Sequence, residues 1–206
     1  MITGRKRDQN TGPVKGDVMN SIKTVTGEKN QIGTLDLIYM AIGVSLIAVC
    51  SWISIPTTVP FTLQTFAVFV VLMTLGGKRG TLTTIVYVMM GAIGIPVFAG
   101  FTGGIGIILG TTGGYILGFI FMGPVYIAIT KLFGNGSIPT IAAMLAGLFV
   151  CYAFGTAWFM FIYLRNTGAV SLMTVLSWCV FPFIIPDLVK MALAFVLSKR
   201  ISFLVH

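Results

Sequence analysis

The chain has 206 residues, of which 56% are hydrophobic and only 9% are charged, and its mean hydropathy is +1.00. A soluble domain carries about 25% charged residues, so this composition excludes an ordinary soluble protein and is typical of a multi-pass protein of the lipid bilayer. The formal net charge is +8. However, no stripe of Lys and Arg alternates with aromatic residues, so no nucleic-acid partner is expected.

Residues 1–34 form a polar segment before the first apolar run. Residues 1–36 contain six of the thirteen basic residues and four of the five acidic residues. No apolar core follows the early basic residues, so the segment does not match a secretory signal. We expect the segment to be mobile. Met19 is an alternative natural start, in which case residues 1–18 are an added leader.

Six apolar runs predict six transmembrane helices. A transmembrane helix needs about 20 apolar residues, and the second and third runs are shorter than this. We therefore expect these two helices to tilt or to pack against loops. The runs cover residues 35–53, 63–76, 81–95, 106–131, 139–162 and 173–198.

Basic residues next to these runs predict their orientation. They follow the second, fourth and sixth runs, and so lie on the same side as the basic N-terminal segment, a side that the positive-inside rule makes cytoplasmic. We predict an all-α, polytopic protein of the cytoplasmic membrane with both termini in the cytoplasm. Its six-helix domain covers residues 35–200 and is followed by a C-terminal tail at 201–206. The basic residues on the inner side are Lys78, Arg79, Lys131, Lys199 and Arg200.

Two outer loops, residues 51–64 and 94–106, follow the first and third spans and are called here the first and third outer loops. They carry no charge and contain Pro, Gly and aromatic residues. Irregular backbone at membrane depth must be buried in protein or line a cavity. We therefore expect both loops to fold onto the outer ends of the helices and to form a lid over a pocket.

The last run contains an acid and a base within the sequence FIIPDLVKMALAF, residues 183–195. Asp187 and Lys190 are three residues apart and share a helix face. They lie roughly 15–18 Å from Lys199 along a helix, inside the bilayer, where ionisable residues are candidates for function. Two interpretations are open: an ion pair that joins two helices, or a ligand site in which Asp187 accepts and Lys190 donates hydrogen bonds. Pro186 either kinks the helix or opens a helical segment.

Other polar and aromatic residues are expected to face the same outer cavity. The polar ones are Gln64, Thr102, Thr111, Thr112 and Tyr115, and the aromatic ones are Trp52, Phe98, Phe101 and Trp158. The single histidine is the last residue, His206, and no P-loop sequence occurs. These features argue against His-based catalysis, a His-ligated metal site and ATP hydrolysis by this chain. We therefore expect neither an enzyme nor a metal site.

Small residues recur at helical spacing in two places. The first set is Gly106, Gly110, Gly114 and Gly118, and the second is Ala41, Ser45 and Ala48. The glycines are expected on one helix face, either for close helix packing or to leave room for a ligand. The second set forms a smooth stripe on the first span, which packs either within the protein or against a partner.

Four segments together carry a family resemblance. They are VPFTLQTFAV (59–68), GGKRGTLTTIVYVMMGAIGIPVFAG (76–100), GGIGIILGTTGGYILGF (103–119) and IPDLVK (185–190). In this order and spacing they resemble the BioY family, the biotin-specific substrate-binding (S) components of energy-coupling-factor (ECF) vitamin transporters. The resemblance covers residues 35–200. The chain departs from the family at Thr111 and Thr112, where Gly-Pro-Thr or a similar sequence is expected, and at Ser45, where Ala is expected.

The resemblance implies a six-helix fold with a biotin site beneath the first and third outer loops, and neither covalent chemistry nor a cofactor. It implies ligand binding by Asp187 and Lys190, then by Tyr115 and the Gly-rich third loop. The implied partners are biotin, an ECF transmembrane coupling (T) protein and a pair of cytoplasmic ATPases, with delivery by reorientation of the binding subunit in the membrane. Together with the residues expected at the outer cavity, the ligand-binding candidates are Asp187, Lys190, Tyr115, Thr112, Phe98, Gly100, Thr102, Gln64 and Trp52. The docking candidates are Ala41, Ser45 and Ala48.

Two other functions remain open from the sequence. One is a substrate-binding subunit for another small vitamin, because a sequence without a pocket does not rank ligands. The other is a structural or channel-like membrane subunit in which Asp187 and Lys190 form an internal bridge.

Overall fold

A computed structural model describes residues 33–57 and 59–205, with residues 202–205 described by their backbone alone. The predicted N-terminal segment lies outside the described residues up to residue 32, as does His206. The described chain is mostly helical. The helices are α1 (Thr34–Trp52), α2 (Gln64–Ala92), α3 (Ile105–Leu109), α4 (Gly113–Phe133), α5 (Ser137–Asn166), α6 (Leu172–Cys179) and α7 (Phe181–Val205).

The extended elements are short and belong to the outer loops. Strands β1 (Ser54–Ile55) and β2 (Phe61–Thr62) pair antiparallel within the first outer loop, with Ser54 opposite Thr62. A 3-10 turn covers Ala99–Phe101 in the third outer loop.

The second helix is a hairpin. Gly76 within α2 has φ 77° and ψ 170°, a conformation that is essentially restricted to glycine. A Cβ added at Gly80 would lie 2.9 Å from the Cα of Leu72, whereas these residues would be about 12 Å apart along a continuous helix. The side chains of Gln64 and Tyr87 meet at 3.0 Å, although a straight helix would separate them by about 34 Å. The chain therefore reverses its direction at Gly76.

The two arms of this hairpin correspond to the second and third predicted spans. Five helical segments of the described chain are long and apolar enough to cross a membrane, and α2 is one of them. With the two arms of α2 counted separately, residues 33–57 and 59–205 contain six membrane helices. The prediction of an all-α, six-span membrane protein is confirmed.

The prediction of one continuous helix over residues 106–131 is wrong in its first part. Gly110 has extended backbone (φ −73°, ψ 177°) and separates α3 from α4. Gly106 and Gly110 therefore do not share a helix face with Gly114 and Gly118, contrary to the prediction. The latter two do pack closely, because Cβ atoms added to them would collide with atoms of α5.

The last predicted span consists of two helices. A break at Val180 (φ −124°, ψ −57°) separates α6 from α7. Pro186 lies inside α7, which begins at Phe181, so this proline does not open a helical segment. The helix continues to Val205 and includes most of the predicted C-terminal tail.

The core lies between the helices and separates two ends of the molecule. Its largest fully buried side chains include Phe69, Leu72, Met122 and Met144. The outer end carries residues 53–63 and 93–112, and the inner end carries residues 76–79 and 134–136. The two uncharged outer loops therefore meet at one end, as the sequence predicts.

We expect Gly76→Ala to lower the thermal unfolding midpoint of the purified protein in detergent. A Cβ disfavours the backbone conformation at this position, at a cost of about 1–3 kcal/mol. Gly106→Ala is the matched control, because its φ is not positive and an added Cβ meets no atom within 4 Å. Equal midpoints for the two variants would contradict the hairpin turn at Gly76.

Candidate ligand-binding site

A cavity of about 300 Å³ lies at the outer end of the helices. Small-molecule sites span roughly 300–1,000 Å³, so this cavity suits a small ligand. Its polar lining comprises Thr62, Gln64, Thr65, Thr102, Thr112, Tyr115, Tyr152, Asp187 and Lys190. The remaining wall is apolar and includes Val59, Phe98, Ile116, Phe119, Leu148 and Phe183.

The first outer loop covers the cavity as the β1–β2 hairpin. Lys190 Nζ donates a hydrogen bond to the backbone oxygen of Thr62 on β2 at 2.7 Å. The same ammonium lies 4.3 Å from the centre of the Phe61 ring, a cation–π contact. Phe61 in turn stacks on Phe183 of α7, with 5.8 Å between ring centres. The hairpin is therefore anchored to the charged residue beneath it.

The third outer loop forms a second cover. Phe98 is only 1% exposed and pairs with Thr102 across the 3-10 turn. Its ring occupies the space that a side chain at Gly91 would fill. The carbonyl of Val97 accepts a hydrogen bond from the Tyr87 hydroxyl at 3.0 Å. These contacts hold the loop against the helix ends, where the sequence predicts it.

Asp187 and Lys190 lie side by side in the cavity wall, and their side chains are 3% and 7% exposed. Lys190 Nζ donates to Asp187 Oδ1 at 2.9 Å, and the Tyr152 hydroxyl donates to Asp187 Oδ2 at 2.5 Å. With the Thr62 carbonyl, Lys190 uses two of the three donors that an ammonium has. The carboxylate accepts two hydrogen bonds and has about four acceptor positions. By this count, one donor and about two acceptor positions of the pair make no hydrogen bond within the described residues.

Most of the other predicted ligand-binding residues also line the cavity. They are Gln64, Phe98, Thr102, Thr112 and Tyr115. The Tyr115 hydroxyl lies 3.1 Å from that of Thr156, which orients it within the wall. Gln64 Nε2 donates to the Tyr87 hydroxyl at 3.0 Å, so Gln64 is held by the same tyrosine that binds the third loop.

Trp52 and Gly100 were also expected at the ligand, but they do not line the cavity. Trp52 Nε1 donates to the Pro96 carbonyl at 2.9 Å, and its ring stacks on Phe101 at 4.8 Å. Gly100 has φ 67° and lies in the exposed turn, where glycine adopts the left-handed conformation readily. Both residues therefore contribute to the structure of the lid. Thr111, Phe101 and Trp158 lie outside the lining as well.

Sequence reasoning missed Tyr152, Thr62 and two cysteines, Cys151 and Cys179, which line the cavity. A signal for Tyr152 does exist, because it lies one helical turn before Thr156 within a mostly apolar run. Thr62 offers no such signal, because it contributes its backbone carbonyl to Lys190.

The arrangement combines hydrogen bonding with an apolar enclosure. Among the described residues, Asp187 is the one acid that lines the cavity. Within residues 33–57 and 59–205, no group of three or more His, Cys, Asp or Glu side chains could hold a metal ion. This arrangement suits a small molecule that has a polar group and an apolar body.

A family model described as the BioY family matches residues 21–206. The chain belongs to the BioY family. The biotin transporter BioY of Thermotoga maritima is 38% identical over 167 residues, which cover 81% of this chain and 95% of that protein. A probable biotin transporter BioY of Pyrococcus horikoshii is 40% identical over 164 residues, which cover 79% of this chain and 93% of that protein.

The fold of this BioY chain also resembles a solved structure. It is the crystal structure of the S-component for biotin from an ECF-type ABC transporter, with a TM-score of 0.71 and 26% sequence identity. The likeness covers 81% of this chain and 89% of that one. The family resemblance and the S-component fold are therefore both confirmed.

The predicted docking stripe of this BioY chain is only partly on its surface. Ala41 and Ser45 on α1 are exposed, and the Ser45 hydroxyl donates to the Ala41 carbonyl at 2.9 Å. The hydroxyl is therefore satisfied within the helix, and the exposed patch is small and smooth. Ala48 is buried in the core, so it is not available to a partner, contrary to the prediction.

We expect Lys190→Met to destabilise the protein by about 3–5 kcal/mol, because the buried Asp187 carboxylate loses its opposite charge. Thermal unfolding without ligand measures this loss. Arg79→Gln is the control, because it breaks a 3.0 Å ion pair with Asp36 in which the Arg79 side chain is 49% exposed. The control should lose less than about 1 kcal/mol. A Lys190→Met variant as stable as the control would contradict the buried, charged state of the pair.

Proposed function

We propose that this BioY chain binds biotin in the outer cavity and acts as the substrate-specific subunit of an ECF-type importer in the cytoplasmic membrane. The observation that carries the proposal is the buried Asp187–Lys190 pair, which lines a covered cavity and retains hydrogen-bonding capacity. The names of the similar proteins, which are biotin transporters and an S-component for biotin, support the same ligand.

The chemistry of biotin complements this cavity. Biotin has a cyclic urea with two N–H groups, a sulfur-containing ring and a carboxylate on an aliphatic chain. Asp187 provides acceptors for urea N–H groups, and Lys190 provides a charged donor for a ligand oxygen. Ile116, Phe119 and Leu148 provide apolar surface for the ring and chain. Binding of this kind requires no covalent step and no cofactor.

Transport requires partners that this chain does not supply. The similar structure is a component of an ECF-type ABC transporter, which supports a T protein and a pair of cytoplasmic ATPases as the source of energy. We assign docking of the T protein to the exposed α1 surface at Ala41 and Ser45. Two small side chains allow a partner helix to approach closely. Biotin is then delivered when the loaded subunit reorients in the membrane.

Equilibrium binding of biotin to the purified protein tests the proposed ligand. Saturable binding is expected at micromolar biotin or below, and a competition panel of other small vitamins should leave it unchanged. Stronger binding of another vitamin would identify that vitamin, instead of biotin, as the substrate. No saturable binding of any panel member would instead favour a structural or channel-like subunit.

We expect Asp187→Asn to weaken biotin binding at least about tenfold, or about 1.4 kcal/mol, because a charge-assisted hydrogen bond is lost. The dissociation constant is measured on the folded variant. Asp36→Asn makes the same chemical change at the inner end of the molecule and should leave the affinity unchanged. An unaltered affinity in folded Asp187→Asn would remove this residue from the site.

We expect Ala41→Trp to reduce co-purification with the T protein and biotin uptake by cells, while the biotin affinity of the isolated subunit is retained. The indole would hold a partner helix away from α1. Ala142→Trp places the same bulk on an exposed alanine of α5 and should preserve assembly. Equal assembly of the two variants would exclude the α1 surface as the docking site.

A further inference from the structure

A second cavity, of about 880 Å³, lies at the inner end of the molecule, opposite to the biotin cavity. Its walls come from the start of α1, the reversal of α2, the end of α4, the start of α5 and the end of α7. The proposed binding of biotin uses none of these residues, so this cavity has a separate chemistry.

Basic side chains dominate the inner cavity. Lys78, Arg79, Lys131 and Lys199 line it, against the single acid Asp36 among its described lining residues. Asp36 is 3.0 Å from Arg79, so this acid offsets the charge of the arginine. Lys78 and Lys131 form no ion pair within the described residues. Lys78 and Lys131 therefore give the described lining an excess of positive charge, which attracts an anion.

Uncharged donors in the same cavity suit an anion with several oxygens. The hydroxyl-bearing residues Ser137 and Thr140, in the first turn of α5, line the cavity. The 30-residue helix α5 begins here at Ser137, after the N-cap residue Gly136. The backbone N–H groups of Ser137 and Ile138 lack partners within the helix and lie at its positive end, where phosphate groups bind, whereas Pro139 has no N–H.

We propose that the inner cavity binds the phosphate group of an anionic membrane lipid. The predicted orientation places this end at the cytoplasmic surface, at the depth of the lipid headgroups. Basic pockets between transmembrane helices bind anionic headgroups at this level. A soluble phosphate-bearing molecule offers the same chemistry, so the experiment must separate the two sources.

The test uses the full chain in detergent with three probes: phosphatidylglycerol, phosphatidylcholine with the same acyl chains, and inorganic phosphate. Bound lipid is counted by native mass spectrometry, and the thermal unfolding midpoint is followed in parallel. The double variant Lys78→Gln/Lys131→Gln removes two cations from the cavity. The control Arg165→Gln/Arg200→Gln removes the same charge from positions that do not line it.

Wild-type protein should bind phosphatidylglycerol more tightly than phosphatidylcholine. The Lys78→Gln/Lys131→Gln variant should lose about thirtyfold in affinity for phosphatidylglycerol, whereas the control should not. Inorganic phosphate should compete with phosphatidylglycerol for the wild-type protein. Loss of this competition in the Lys78→Gln/Lys131→Gln variant would also support a phosphate site. Stabilisation by phosphate without a preference for phosphatidylglycerol would assign the site to a soluble ligand and overturn the lipid assignment.

Equal binding of the two lipids with no response to phosphate, or equal losses in the two double variants, would overturn the site itself. A cooperative thermal unfolding transition without added ligand serves as the folding check for each variant. The outcome does not depend on biotin being the transported substrate.

Discussion

A carboxylate and an ammonium are costly to bury in a membrane protein unless each meets an opposite charge and further polar groups. Asp187 and Lys190 satisfy this constraint together, with Tyr152 on the acid and the Thr62 carbonyl on the base. Tyr152 belongs to α5, the pair to α7 and Thr62 to the first outer loop. The contacts that neutralise the buried charges are therefore also contacts that join two helices to the lid.

The third outer loop, which forms the second cover, is held by α2. Reversal of α2 at Gly76 brings Gln64, at the start of the helix, beside Tyr87 near its end. Tyr87 then binds the third outer loop through the carbonyl of Val97. Both loops are thus held in place by the helices that form the cavity.

The sequence predicts the six crossings, both covers and the buried charged pair, because each depends on hydropathy, charge or spacing within a short stretch. It does not predict the break at Gly110, because glycine is compatible both with close helix packing and with extended backbone. Trp52 has the aromatic character of a ligand-binding residue, but its indole N–H is used to hold the third loop. The contact of Tyr152 with Asp187 depends on packing between helices that are distant in sequence.

A structure of the protein with biotin bound tests most directly whether the charged pair recognises the ligand. We expect a polar atom of biotin within about 3.2 Å of Asp187 or Lys190, beneath both outer loops. Biotin bound elsewhere would contradict it. So would biotin in the cavity with these two side chains still contacting only each other, Tyr152 and the first outer loop.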